Sequence, residues 1–241
     1  IIHHSGEHLL ALINDILDLS KIEAQKMELH SAEFHLPSFL QGVAEICRIK
    51  AEQKQIEFIY EAEVDLPVGI DADEKRLRQV LINLLGNAIK FTDDGYVKFV
   101  VKARCLESDS SDEPARYCLR FQIEDTGVGM SEEQLEKVFL PFEQVGSISK
   151  KSEGTGLGLA ITQRIVKMMG TTLELQSELD KGSLFWFDIE VPEAHDWVAA
   201  SITSQKGKIL GYEGDKRTIL VADDRWENRS VLTNLLEPIG F

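Results

Sequence analysis

Between residues 71 and 91, apolar side chains fall at Leu77, Val80, Leu81, Leu84, Leu85, Ala88 and Ile89. This i, i+3, i+4, i+7 spacing puts them all on one helix face. It predicts a helix from Asp71 to Phe91 with that face in the core. Ile2, Leu9, Leu12, Ile16 and Leu19 advance by threes and fours, predicting a helix over residues 5–29, and Ile13 and Leu17 widen its stripe. With no second helix beside it in the chain, this stripe predicts a partner helix, as in a dimer. Pro37 and Ser38 open another helix over 39–53. Strict alternation predicts half-buried strands at 56–62, 96–103 and 117–124, the last two joined by a solvated loop over 107–116. A short helix over 131–138, an irregular stretch to Glu153, a glycine-opened helix over 157–169 and strands at 172–177 and 183–191 complete the unit. Strands and helices in this mixed order predict a two-layer α/β sandwich. Residues 193–217 read as a linker. After them, an apolar run at 218–221 and a helical pattern through Val231, Leu232, Leu235 and Leu236 are too little to form a domain alone.

Composition narrows the classes. The 241 residues carry 26 Lys and Arg against 41 Asp and Glu, a net charge of −15, with 43% hydrophobic residues. That is enough apolar material for a real core, and disorder is excluded. No apolar run approaches the roughly 18 to 20 residues of a membrane span, and no secretory leader pattern opens the chain. A cytoplasmic protein without membrane contact is expected, and the acidic excess argues against nucleic acid as a partner. Cys47, Cys105 and Cys118 are odd in number and widely spaced, which predicts reduced packing residues and no zinc site. The chain opens on Ile and closes on an unfinished strand and helix, so it reads as a piece of a longer one.

Three clusters carry candidate chemistry. Asn83, Asn87 and Lys90, offset by four and then three residues, share the helix face away from the apolar stripe. An amide oxygen suits Mg²⁺ and an ammonium suits phosphate, as a nucleoside triphosphate requires; a solvated polar face is the plainer alternative. Asp125-Thr-Gly-Val-Gly129 ends a strand with an acid that can accept from an amino group such as adenine N6, or can simply close an Asx turn. Gly154-Thr-Gly-Leu-Gly158 opens a helix whose free amides favour phosphate, or forms a flexible entry loop. Neither a P-loop nor a dinucleotide-binding glycine pattern is present.

Read together, these segments resemble the sensor histidine kinases of two-component systems. The stretch from Gln79 to Thr92 is similar to their N box, Asp125 to Met130 to the G1 box, Phe139-Leu-Pro-Phe142 to the F box, and Gly154 to Leu159 to the G2 box. The resemblance implies a catalytic ATP-binding domain of the Bergerat type over residues 32–192. It makes residues 1–31 part of the second helix of a dimerisation and phosphotransfer hairpin, and residues 218–241 the start of a response-regulator receiver, as in a hybrid kinase. By the same resemblance, Asn87 holds Mg²⁺, Asn83 is a neighbouring polar contact in the catalytic set, Lys90 contacts phosphate and Phe91 walls the base pocket. Asp125 accepts from adenine N6 and Gly127 and Gly129 shape the pocket. Gly154, Thr155, Gly156, Leu157 and Gly158 approach the phosphates below a lid over 146–153 from which Lys150 and Lys151 could reach. Phe139 and Phe142 are expected in the core or anchoring that lid. The implied partners are ATP, the helix of a second subunit and a cognate receiver.

The acceptor histidine of such kinases lies on the first hairpin helix, before an acid and near a proline. His3, His4, His8, His30, His35 and His195 lack that setting, so the chain is not expected to phosphorylate itself. Gyrase-type and chaperone-type hydrolases or clamps place a Glu four residues before the metal-binding Asn; here Asn83 stands there, favouring transfer over hydrolysis. A catalytically silent nucleotide-binding module is the third reading, against which the intact boxes stand. Asp223 and Asp224 resemble a receiver's acidic pair, with Arg225 where Asn is commoner and the phospho-accepting Asp expected beyond Phe241.

Overall fold

The structure is a computed structural model that describes residues 2–106, 115–143 and 155–194, then 217–222 and single positions beyond. Residues 1–197 form one unit and 198–241 another. The first unit runs α1 (Ile2–Glu23), β1 (Ala32–His35), α2 (Leu36–Lys54), β2 (Glu57–Ala62), β3 (Gly69–Ala72), α3 (Glu74–Phe91) and β4 (Tyr96–Leu106). It continues with β5 (Arg116–Asp125), α4 (Glu132–Lys137), α5 (Gly158–Met168), β6 (Glu174–Glu178) and β7 (Gly182–Pro192).

Five strands form one sheet in the order β2-β4-β5-β7-β6, with β2 parallel to β4 and the other pairs antiparallel. Alternation decides which face is covered. Val97, Phe99 and Val101 of β4, Leu119, Phe121 and Ile123 of β5, and Phe187 and Ile189 of β7 are buried under the helices. On the opposite face, cross-strand pairs such as Arg120 and Asp188, 2.7 Å apart, meet solvent. Helices α2, α3 and α5 complete the core with Leu40, Leu77, Leu81, Leu84, Leu85 and Ile165. This is the two-layer α/β sandwich that the pattern predicts.

Several element boundaries differ from those the pattern predicts. Asp71 and Ala72 belong to a strand, not to the long helix: β3 pairs antiparallel with β1, and neither short strand was expected. The helix starts after Asp73, whose Oδ1 accepts the Arg76 amide at 2.9 Å as an N-cap. Helix α1 stops at Glu23 rather than 29, because Gln25 adopts a left-handed φ of 53°. There Gln25 N donates to Ile22 O and Lys26 N to Lys21 O, closing a Schellman motif without glycine. The expected α1 stripe also divides. Leu19 is buried in the chain's own core, whereas Leu9, Ile13, Ile16 and Leu17 are exposed, as is Leu10 outside the stripe. In the second unit, residues 217–222 carry no strand, and Leu220 is 91% exposed. An apolar run becomes a strand only beside a partner, and no described strand pairs with it. Asp223, Asp224 and Arg225 lie outside the described residues, as does the loop over 107–114.

Candidate functional site

Helix α3 is amphipathic in two senses. Its apolar stripe fixes its roll against the sheet, and this leaves Asn83, Asn87 and Lys90 on the wall of a cavity of about 410 Å³ that also takes in the start of α5 and the end of β5. All three residues border the cavity, joined by Phe91, Asp125 and Gly129. Thr155, Gly156 and Gly158 close it from the far side. Gly127 and Leu157, expected at the nucleotide, do not line it. A Cβ on Gly127 would lie 2.6 Å from the Phe91 carbonyl oxygen, and Leu157 is fully buried in the core. Gly154, Lys150, Lys151 and the expected lid lie outside the described residues.

The polar groups are held in distinct ways. Asn83 Nδ2 donates to Thr162 Oγ1 of α5 at 2.8 Å, tying the two helices together. Lys90 Nζ lies 4.9 Å from the centre of the Phe91 ring, a cation–π distance. Asp125 is buried, and its Oδ1 accepts the Gly127 amide at 2.8 Å. Burial pushes its pKa up to about 6, against the lowering effect of amides from Gly127 and Ser183. Gly129 has a left-handed φ of 59°, and its missing side chain leaves room for the Glu178 carbonyl, which a Cβ would meet at 1.9 Å. At the start of α5 the Thr155 hydroxyl accepts the Leu157 amide at 3.1 Å, organising the turn ahead of the helix.

Phe139 packs against the core, while Phe142 is 65% exposed with φ 66°, its amide bonded to the Gly156 carbonyl at 2.9 Å. Phe142 therefore anchors the glycine turn through its backbone. The His30 backbone amide donates to the Asp73 carboxylate, and His35 Nδ1 accepts the Ser38 amide as the cap of α2. The side chains of His3, His4 and His8, and His195 as a whole, lie outside the described residues. Cys47 is buried and its thiol is pushed up to about 12 by burial; Cys105 is exposed and Cys118 half-buried, and all three are free. Sequence reasoning missed Asp15, Thr162 and Ser183 on the cavity wall. Asp15 comes from α1, whose pattern advertises only its apolar face, and no local motif marks it.

A mixed sheet covered on one face by helices, with a cavity between an Asn-bearing helix and a glycine-rich helix start, defines a nucleotide-binding ATPase fold. The chain belongs to the family of histidine kinase-, DNA gyrase B- and HSP90-like ATPases, whose model matches residues 72–193. Among its relatives, sensor protein GacS of Pseudomonas syringae pv. syringae is 39% identical over 196 residues, 81% of this chain and 21% of that protein. The signal transduction histidine-protein kinase BarA of Escherichia coli K12 is 39% identical over 214 residues, 88% of this chain and 23% of that one. The solved structure of full-length ShkA in complex with AMPPNP superposes with a TM-score of 0.64 at 36% identity, covering 79% of this chain and 37% of that one. The chain thus spans about a fifth of the length of the curated relatives it matches.

Proposed function

We propose that this chain is the ATP-binding catalytic part of a hybrid sensor histidine kinase, acting in the cytoplasm. It transfers the γ-phosphoryl group of Mg-ATP to a histidine outside the chain, for relay to an aspartate of a receiver. One observation carries the reading: Asn87 and Lys90 of α3, and Asp125 some 35 residues further along the chain, border a single cavity with the α5 helix start. Phosphoryl transfer asks a protein mainly to position the reactants and neutralise charge. In this reading Asp125 accepts from the adenine amino group, Phe91 walls the base, and Lys90 and the α5 amides hold phosphate.

The donor set fits Mg²⁺. Among the described residues no group of three His, Cys, Asp or Glu side chains could cage a metal. Mg²⁺ instead takes few protein oxygens alongside substrate phosphates, and the Asn87 amide oxygen would supply one. Bound there, the ion would neutralise charge on the phosphoryl oxygens. Asn83 cannot serve as a base for water, and its bond to Thr162 gives it a structural use, which supports transfer over hydrolysis. Among the described residues no helix is long and apolar enough to cross a membrane. The exposed Leu9, Leu10, Ile13 and Leu17 of α1 suit a helix of a second subunit.

The test is a calorimetric titration with Mg-ATP, followed by incubation with γ-labelled ATP. Binding that Asn87→Ala weakens about tenfold or more, without label on the chain, is the expected result. Label on one of its own histidines would overturn the external acceptor, and steady ATP hydrolysis lost in Asn83→Ala would overturn transfer in favour of hydrolysis.

A further inference from the structure

Asp15 reaches the nucleotide cavity from α1, outside the motifs that define the site. Its Oδ2 accepts the Thr155 hydroxyl proton at 3.0 Å, and Thr155 Oγ1 accepts the Leu157 amide at 3.1 Å. A carboxylate therefore closes a hydrogen-bonded chain at the start of α5, where the free amides favour an anion. Two ion pairs also hold α1 against the same unit: Asp18 with Arg76 at 2.9 Å and Glu23 with Arg164 at 3.3 Å. Asp15 lies on the N-terminal side of both, next to the helix segment whose Leu9, Leu10 and Ile13 are exposed.

A hydroxyl has one proton to give. If the terminal phosphates of a nucleotide settle at the α5 start, as the proposed function requires, Thr155 cannot donate to them and to Asp15 together. The carboxylate and the phosphates are also like charges, and their repulsion adds to the competition to the extent that Lys90 on the same wall does not screen it. We propose that Asp15 is a determinant of phosphate-dependent binding: docked α1 and bound triphosphate compete for Thr155, so the terminal phosphates expel Asp15 and loosen α1 ahead of its Asp18 anchor. This deepens, and rests on, the nucleotide reading of the cavity. Adenosine carries no phosphate and leaves the contact intact. The arrangement links the occupancy of the site to the freedom of the helix that bears the exposed apolar stripe.

The experiment titrates the chain and its Asp15→Asn and Asp15→Ala variants with Mg-ATP and with adenosine, and follows amide exchange along α1. Both variants should bind Mg-ATP about 3- to 10-fold more tightly, the scale of one partly screened charge contact. Adenosine affinity should stay within about twofold, which also reports an intact fold. In the wild-type chain, saturating Mg-ATP should speed exchange in α1 before Asp18, and adenosine should not. Mg-ATP binding that is unchanged or weakened in both variants while adenosine still binds overturns the competition and leaves the adenine site standing. A wild-type chain that binds neither compound overturns the site and the competition together.

Discussion

The Lys54 ammonium, at the end of α2, donates to the Lys90 carbonyl at 2.6 Å, and also to the carbonyls of Ile89 at 2.9 Å and Thr92 at 2.5 Å. It thereby caps the last turn of α3, where carbonyls have no helical partner and the dipole favours a cation. That turn carries Lys90 and Phe91 onto the cavity wall. Lys54→Met keeps the apolar stem and removes three charge-assisted bonds together with an ion pair to Asp93 at 3.2 Å, so a loss of about 2 kcal/mol in urea unfolding is expected. Nucleotide affinity should fall severalfold, and Lys54→Arg should restore part of both.

Gly158 begins α5, a position where alanine would ordinarily improve a helix by about 1 kcal/mol. Here a Cβ would lie 2.3 Å from Asn83 Oδ1, and Asn83 is already held by Thr162. Any shift breaks that tie or pushes the amide into the cavity. Gly158→Ala should therefore destabilise the fold and weaken nucleotide binding together. Gly86→Ala is the control: a Cβ there meets nothing within 4 Å, so thermal unfolding should show a gain.

Some features are legible in the sequence for similarly local reasons. The apolar period of α3 fixes which residues face the sheet, and with that it sets Asn83, Asn87 and Lys90 together on another face. Glycines at 129 and 158 mark sites where backbone or side chain comes too close for a Cβ. The end of α1 was illegible because Gln25, not glycine, takes the left-handed turn. Strands β1 and β3 were missed because four residues are too few to display alternation, and their pairing spans about forty residues of sequence. Asp15 could not be found because its contact with Thr155 is purely tertiary.

Asp125 titrates at about 6, above the roughly 3.9 of an unfolded chain. The folded state holds the proton more tightly, so this group's contribution to stability grows as pH falls from about 6 toward 4. Adenine binding should run the opposite way. One carboxylate oxygen is occupied by the Gly127 amide, and a proton on the other would turn it into a donor facing the donors of the adenine amino group. Adenosine affinity measured between pH 7.5 and 5 should hold above about 6 and drop below it. In Asp125→Asn that step should disappear; a step that survives the substitution would assign the titration to another group.

Asp18 of α1 and Arg76 of α3 form an ion pair better buried than Glu23–Arg164, with side chains 18% and 14% exposed and 2.9 Å between them. Burial opposes the charge on Asp18, but bonds from Gln79 and Arg76 and the positive charges of Arg76 and Lys21 outweigh it and hold the pKa below its ordinary value. A lowered carboxylate pKa contributes stability above the unfolded value, and that contribution is lost as pH falls through the folded one. The attachment of α1 should accordingly fail in acid, before the sheet does, and resist salt better than the exposed pairs. Asp18→Ala leaves Arg76 without its carboxylate and should cost about 2 kcal/mol. Limited proteolysis near residue 25 checks this directly: cleavage should quicken in Asp18→Ala at neutral pH, and in the wild-type chain only on acidification.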